Sequence, residues 1–591
     1  MGFVTDAIVQ RRRIRTYTAL LVVFGLVLAS RLVYLQIVQH AGYLAQASNE
    51  HTRKYEIPAK RGELYVHDGD STSPIALNQS LQLVYADPRY VTDKAATAAK
   101  LASVLGGSMQ TYLNRLNNGI EYAELAQRVP SALADKVRAL DLVGVGLTER
   151  DYRSYPEGPL AAQVLGFVNA DGAGQYGVEG YLDDALAGTA GQLAAKTDTH
   201  GIPIATANNV VKPPKDGTSY VLTIDRNIQA MAEQELASQV EKVKAKSGSI
   251  IVMDPTGAVR AMANYPTYDP NSYNTVTDYS VFENQVVSNQ FEPGSGMKAF
   301  TMATGLDQSK VTPDTTYDDP GCVKVDDRQV CNAEGDKPGK NKTMTDVLKN
   351  SLNTGVMFVL RMMGGNAEKI TLNGKKLLYD YFTKHFGFGT RTGIEQSGEA
   401  AGSLVQPSNA AGNDVTYANM TFGQGMSVTM VQMAEAMAAI ANGGTLYQPR
   451  LIDGIMNLDG TVTPAKPKVV TSHVMSPSSI ASLNAMLQVV VQHGSGYLAA
   501  RENPGYKIAG KTGTAQIPKS DGTGYVDGAN IGSFIGFAPA DNPKFIVMVR
   551  INEPNVNCDS VACGYAEYTT VPVFGDVVRW LFSYYGIPPS S

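Results

Sequence analysis

Three short segments place a nucleophile, two cations and several hydroxyls in an order that suits acyl transfer. In Phe291-Glu292-Pro293-Gly294-Ser295-Gly296-Met297-Lys298, Pro-Gly breaks the preceding element, and Ala299, Phe300, Met302 and Ala303 continue as an apolar helix. Ser295 then opens a helix, with Lys298 one turn on and on the same face. A serine hydroxyl attacks only once something removes its proton. A buried lysine can do so, because desolvation disfavours the ammonium. The free N–H groups of the first helical turn add positive potential where an oxyanion would develop. By itself the pattern is weak, since a chain of this length shows roughly two or three Ser-x-x-Lys by chance. An N-cap serine beside a solvated lysine looks the same.

The second segment is Ser351-Leu352-Asn353, between the helical stretch Met344 to Asn350 and the apolar run Val356 to Leu360. It offers a hydroxyl to relay protons and an amide to hold a substrate amide, though an isolated Ser-x-Asn usually marks a polar helix junction. The third is Gly510-Lys511-Thr512-Gly513-Thr514, which follows the apolar Tyr506-Lys507-Ile508-Ala509 and is expected on a strand. Lys511 and Thr512 supply a cation and a hydroxyl for a carboxylate. Gly513, lacking a side chain, lets a ligand approach the backbone. Lys-Thr-Gly arises by chance about once in ten such chains. Ser-x-Asn lies 56 residues after Ser295, and Lys-Thr-Gly 160 residues further. In order and context the three together resemble the active-serine set of penicillin-binding proteins and serine β-lactamases.

These segments need elements to hold them. Tyr220 to Ile224 reads as a strand, and Asp225 caps a helix from Arg226 to about Val243. Asp254-Pro255-Thr256-Gly257 turns a hairpin between Ser249–Met253 and Ala258–Ala263. Near the end, Tyr506–Ala509, Ser533–Phe537 and Phe545–Ile551 read as strands, and Pro572 to Tyr584 as a closing helix. One sheet built from both ends of a domain, with helices inserted between, is an α+β architecture. Upstream, residues 41–55 read as a short amphipathic helix, 93–140 as helical, and Lys212 to Gly217 as a linker. Met426 to Met437 reads as core packing, and Trp580 as packing the closing helix on the sheet.

The 591 residues carry 43% hydrophobic and 18% charged side chains, which is a globular composition. Fifty Lys and Arg against 55 Asp and Glu leave a net charge of −5, with no basic excess to suggest nucleic acid. Cys322 and Cys331 lie nine apart and Cys558 and Cys563 five apart, with no histidine near either pair, so no metal site is expected. Two local disulfides fit if these residues lie outside the cytoplasm, and four free thiols fit otherwise. Arg11, Arg12, Arg13 and Arg15 precede the uncharged run Thr16 to Ser30. A helix from Thr16 to Gln36 would span roughly 30 Å, one hydrocarbon core, with the arginines keeping the N-terminus inside. A cleaved signal peptide ending near Ala29 is the alternative. Either reading exports the remaining chain.

Nearly the whole chain resembles class B penicillin-binding proteins, membrane-anchored D,D-transpeptidases that cross-link peptidoglycan. Beyond the three motifs, the likeness rests on Arg31-Leu32, Leu35-Gln36, Pro58, Arg61-Gly62, Arg153, Tyr155-Pro156, Gly177-Val178-Glu179, Ser249 to Gly257, Phe422-Gly423-Gln424-Gly425 and Ala441-Asn442-Gly443-Gly444. The resemblance implies four parts: a cytoplasmic tail over 1–15, an anchor over 16–38, an elongated mixed pedestal over 39–214, and a transpeptidase domain over 215–591 with an antiparallel sheet flanked by helices. It implies Ser295 as nucleophile, Lys298 as base, and Ser351 and Asn353 completing the proton network and holding the donor. Lys511, Thr512, Gly513 and Thr514 would line the donor strand, and the N–H groups of Ser295 and Thr514 would form the oxyanion hole. It implies no cofactor. The implied partners are D-Ala-D-Ala stem peptides, an amine acceptor, β-lactams, the membrane, and a SEDS-type glycan polymerase with divisome or elongasome proteins. A septal role is favoured over elongation. The alternatives are a β-lactam-hydrolysing or β-lactam-sensing relative and a non-catalytic cell-wall scaffold.

Two departures stand out. Gly296 occupies the position after the nucleophile where Thr or a similar residue is usual, which would loosen the helix start by up to ~1 kcal/mol. Val66 and His67 replace the Asp and Arg of the pedestal motif, which would remove a structural ion pair.

Overall fold

The computed structural model describes residues 3–43, 52–119, 121–196, 210–333, 336–519, 524–556 and 564–590. These divide into two compact units, residues 1–60 with 188–217 and residues 61–187 with 218–591.

The first unit holds the helix Phe3–Val33, which runs on as a π-helical turn, Tyr34–Val38. Its span Ile8–Val38 is long and apolar enough to cross a membrane. An antiparallel sheet joins Thr52–Ile57, Gly191–Lys196 and Val210–Lys212 in the order first, second, third. Thr52–Ile57 is therefore a strand where the hydrophobic pattern suggested helix: cross-strand pairing overrides a short amphipathic period. Of the rest of that expected helix, residues 41–43 are helical and 44–51 lie outside the described residues. Lys215 exchanges backbone hydrogen bonds with Thr189, 2.8 Å each way, so the Pro-Pro stretch is tied down.

In the second unit, Leu64–Asp68, Ser71–Ala86, Ala123–Val129 and Val145–Ser154 form the upstream part of a mixed sheet. Ser219–Asp225 joins it in parallel beside Leu64–Asp68, and Ile452–Met456 pairs on its far side. The helices Lys94–Leu105, Met109–Leu116 and Ser131–Ala139 bury Ala98, Leu101, Tyr112, Leu116, Ala134 and Val137 in a small core of their own. His67 faces Asp453 with Nε2 3.1 Å from Oδ2, so a polar pair persists across this sheet despite the altered motif.

A five-stranded antiparallel sheet carries the site. Its strands are β1 (Ser247–Met253), β2 (Val259–Tyr265), β3 (Ala509–Pro518), β4 (Tyr525–Ala538) and β5 (Phe545–Asn552), in the order β2-β1-β5-β4-β3. Every residue of β1 is buried, because helices cover both faces. Ile250 and Val252 meet Phe534, Val547 and Val549 in a core shared with the helices Arg226–Lys242 and Val571–Tyr584. Ile251 and Met253 turn the other way, to Ile535, Met548 and the helices Lys298–Asp307 and Met430–Ala441. Asp225 Oδ1 caps the first helix by accepting from the N–H groups of Asn227 and Ile228. Met426, Met430, Met433 and Met437 are buried as core, and half-buried Trp580 stacks on Tyr584 at the edge of the closing helix. β3 begins at Ala509 rather than Tyr506, and so carries the whole Lys511 segment in register with β4.

Candidate active site

The serine segment is a tight turn before a helix. Gly294–Met297 forms a 3-10 turn that runs into the helix Lys298–Asp307. Gly294 has φ +57°, and a Cβ there would lie 2.7 Å from Thr514 O. Only glycine fits both the backbone and the approach to β3. Phe291 exchanges backbone hydrogen bonds with Val428 at 3.0 Å, and Gly294 N donates to Gly423 O at 3.1 Å. The serine turn is thereby laced to the 423–428 segment on one side and pressed on β3 on the other.

Ser351 sits between the helices Met344–Lys349 and Asn353–Met363. It has φ +57°, a left-handed conformation that costs a serine about 1–3 kcal/mol. This bend presents both its polar atoms to lysines. Lys298 Nζ donates to Ser351 O and, at 3.1 Å, to Ser351 Oγ. Lys511 Nζ donates to the same Oγ at 3.0 Å and to Thr512 Oγ1 at 3.2 Å. The side chains of Ser295, Lys298, Ser351, Asn353, Thr512 and Thr514 belong to one cleft of about 840 Å³.

Among the described residues neither lysine is bonded to a carboxylate, and both are almost wholly buried: Lys298 is 1% exposed and Lys511 0%. Burial pushes the Lys298 ammonium well below its ordinary value, and the neighbouring Lys511 charge pushes it further, against a weak pull from Asp336. Burial brings Lys511 down to about 7, with Glu567 opposing. Two cations on one hydroxyl oxygen repel, so one of them gives up its proton readily. A neutral lysine beside a serine is a base in place. Among the described residues Ser295 Oγ has no hydrogen-bond partner, and Lys298 is held on Ser351 instead. Catalytic contacts of this kind are commonly loose before substrate arrives.

A penicillin-binding protein transpeptidase domain matches residues 248–577, and a penicillin-binding protein dimerisation domain matches residues 56–222. The chain belongs to the class B penicillin-binding proteins. It is 33% identical to stage V sporulation protein D of Bacillus subtilis, over 99% of this chain and 88% of that protein. It is 28% identical to peptidoglycan D,D-transpeptidase FtsI of Escherichia coli K12, over 95% and 90%. The crystal structure of penicillin-binding protein 3 of Mycobacterium tuberculosis complexed with aztreonam superposes with a TM-score of 0.68 at 26% identity, covering 91% of this chain and 98% of that one.

In this penicillin-binding protein Gly513 is small for a reason other than ligand approach. A Cβ there would lie 2.4 Å from Ser533 Oγ and 2.6 Å from Pro293 O. Gly513 lets the serine turn nest on β3. Gly296 has open space by comparison, since a Cβ would meet only Met433 Cε at 3.4 Å. Asn353 Nδ2 donates to Cys331 O at 2.8 Å, which leaves its carbonyl as the group free for a ligand. Cys331 is disulfide-bonded to Cys322 across a short hairpin. Cys558 and Cys563 lie outside the described residues.

Sequence reading missed two residues of the cleft and one beneath it. Ser495 Oγ is 2.6 Å from Thr512 Oγ1. Glu567, half-buried on the cleft wall, is the carboxylate nearest in effect to Lys511. Arg550, fully buried under the serine segment, stacks on Phe291 with its guanidinium carbon 4.9 Å from the ring centroid. Ser495 lies in the turn between the helices Pro477–His493 and Tyr497–Glu502, Glu567 on the short helix Ala566–Thr569 and Arg550 on β5, and no short motif marks any of them. Among the described residues no cluster of His, Cys, Asp and Glu is arranged to hold a metal ion.

Proposed function

We propose that this penicillin-binding protein cross-links peptidoglycan stem peptides through an acyl-enzyme on Ser295. The observation that carries the reading is the meeting of two buried lysines on Ser351 Oγ, one of them Lys298, three residues after Ser295. Neutral Lys298 takes the Ser295 proton as Oγ bonds to the carbonyl carbon of the D-Ala-D-Ala peptide bond. The N–H groups of Ser295 and Thr514 receive the oxyanion. The proton passes through Ser351 to the departing nitrogen, the C–N bond breaks, and D-Ala leaves. The donor lies along β3 with its carboxylate toward Lys511 and Thr512, and its amide on Asn353 Oδ1. An acceptor amine then attacks the ester carbonyl and gives its proton to Lys298, which passes it to Ser295 Oγ as the ester C–O bond breaks. In a β-lactam the broken amide stays tethered, so the acyl-enzyme persists.

The apolar helix fits a single-pass anchor with the arginines in the cytoplasm and the catalytic unit outside. Residues 39–214 are read as the pedestal and 215–591 as the transpeptidase domain. A SEDS-type glycan polymerase and divisome proteins are the partners this reading calls for, and septal synthesis its setting.

The test is covalent labelling with a fluorescent penicillin, read as intact mass. A long-lived adduct on the native protein that disappears in Ser295→Ala supports the assignment. An adduct that survives in Ser295→Ala moves the nucleophile elsewhere. Rapid loss of the adduct to hydrolysed drug points to a β-lactamase.

A further inference from the structure

Glu292, three residues before the nucleophile, takes no part in the reaction just described. Its side chain is half-buried, yet it forms no salt bridge among the described residues. Instead its carboxylate joins two elements that are remote in sequence. Gly425 N donates to Oε1 at 2.8 Å, and Tyr525 Oη donates to Oε2 at 3.2 Å. Gly425 belongs to the 423–428 segment that already holds Phe291 and Gly294 through backbone bonds. Tyr525 starts β4, opposite Pro518 at the outer end of the β3–β4 hairpin. That outer arm supplies Gln516, Gly528, Ala529 and Asn530 to the wall of the cleft.

We propose that Glu292 is a positioning residue that fixes the serine turn and the outer arm of the β3–β4 hairpin relative to one another. Among the described residues its bond to Tyr525 is the hydrogen bond that ties this arm to the serine turn. The inner part of β3 needs no such clamp, because Gly294 and Gly513 let the turn nest on it directly. Beyond Gln516 the hairpin leaves the sheet: the β3–β4 register shifts between Gln516 and Pro518, and β5 pairs with β4 only from Ile531 onward. A two-stranded arm of that kind is marginal alone and needs an outside anchor.

The chemistry suits the task. An ionised carboxylate accepts two hydrogen bonds on different oxygens, and such bonds are roughly twice as strong as neutral ones. Burial and the adjacent carboxylate push the Tyr525 phenol up to about 12, so it stays protonated and donates throughout the working range. Gln at position 292 would keep one acceptor and turn its amide nitrogen toward the other donor. Removing the tyrosine hydroxyl would free the arm while leaving the Gly425 bond intact.

The two bonds should therefore act on different constants. The Tyr525 bond shapes the wall that receives the ligand, and the Gly425 bond orients the serine turn. The experiment measures acylation of the full-length protein by a fluorescent penicillin, separating the binding constant from the acylation rate constant. It compares the native chain, Tyr525→Phe, Glu292→Gln, Glu292→Ala and the double variant Glu292→Ala with Tyr525→Phe. Tyr525→Phe is expected to weaken binding three- to tenfold and to change the acylation rate constant less than twofold. Glu292→Ala is expected to worsen both, with Glu292→Gln between it and native. Once Glu292 is Ala, Tyr525→Phe should have no further effect.

If Tyr525→Phe acts equally in both backgrounds, or leaves binding unchanged, the clamp does not exist. If Glu292→Ala fails to fold, Tyr525→Phe and Glu292→Gln still decide the matter, because neither removes bulk. The inference rests on the Ser295 reading but fails separately. Loss of all labelling in the native chain would sink that reading, whereas normal labelling with insensitive variants would sink only the clamp.

Discussion

Two of the places where this protein buries charge do so in opposite ways. Near the upstream sheet, Arg153 is 2% exposed in its side chain and Glu179 0%. Arg153 Nε donates to Glu179 Oε1 at 2.6 Å, and Arg61 Nε donates to Glu179 Oε2 at 2.8 Å. Arg61 also pairs with Asp183 at 2.7 Å, and its neighbours hold its pKa above the ordinary arginine value despite burial. Every charge there has an opposite charge against it. At the cleft, Lys298 and Lys511 are as deeply buried but share a serine hydroxyl, with no carboxylate bonded to either among the described residues. The paired cluster fixes a fold. The unpaired pair gives up a proton and can do chemistry. Burial alone therefore distinguishes nothing, and what faces the buried charge decides its role.

The largest expected effect breaks the cleft half of this contrast. Lys298→Met removes the base and should lower the acylation rate constant by at least a thousandfold. It also removes a desolvated ammonium that no carboxylate bonds among the described residues. Lys298 has its pKa lowered on folding, so the unfolded chain holds the proton more tightly between the folded value and about 10.4. Stability of the native protein consequently rises with pH across that window and is lowest below it. The Met variant should melt a few degrees higher than native at pH 6 by calorimetry. A variant that is both inactive and less stable at pH 6 would contradict the idea that the lysine is held at a cost.

The upstream half breaks differently. Glu179→Ala leaves Arg153 and Arg61 buried without their shared partner, which should cost about 3–5 kcal/mol. The melting temperature should fall sharply, while the acylation rate constant of the remaining folded protein stays within about twofold of native. Equal losses in stability and in acylation rate constant would mean that the two regions are one mechanical unit, and the contrast would lose its force.

Both halves of the contrast were legible to different depths in the linear sequence. The motifs around Ser295, Ser351 and Lys511 could be found because each packs its chemistry into three to eight consecutive residues. The hairpin of β1 and β2, the Asp225 cap and the closing helix were legible for the same reason. The geometry that gives the lysines their character was not. It depends on Ser351 adopting φ +57°, on β3 starting at Ala509, and on Lys511 meeting a residue 160 positions away. Gly513 was assigned to ligand approach from its place on a strand, whereas the atoms it would strike belong to Ser533 and Pro293, from other parts of the chain. Long-range pairing carries no local period, so composition and spacing pass over it.

A milder change sharpens the cleft side by altering what faces Lys511. Its pKa is brought to about 7 by burial, and Glu567 pulls it upward. Acylation should rise with pH as Lys298 loses its proton and fall as Lys511 loses the charge that holds the ligand carboxylate. Because the two lysines interact, the limbs of such a bell belong to the pair rather than to either residue. Glu567→Gln removes the upward pull, so the alkaline limb should move to lower pH. Movement to higher pH would mean that Glu567 does not act on Lys511. An unchanged limb would assign it to another group.

The smallest expected effect concerns Gly296, the departure beside the nucleophile. The concern raised by the sequence is a loosened turn. In the fold this position lies inside the 3-10 turn, its φ is not in the left-handed region, and an added Cβ meets only the flexible end of Met433 at 3.4 Å. Gly296→Ala should therefore be accommodated and should stabilise the protein by about 0.4–1 kcal/mol, chiefly by restricting the unfolded chain. If the glycine loosens Ser295, the same variant should also raise the acylation rate constant, by two- to threefold at constant binding. If the lacing through Phe291, Gly294 and Glu292 already fixes the serine, stability will rise and the rate constant will not move. The second outcome is the one the bonds to Val428, Gly423 and Gly425 favour, since they constrain the turn on both sides of the position in question. A fall in stability would show that the Met433 contact cannot give, and that the core beneath the serine turn is packed more tightly than its side-chain ends suggest.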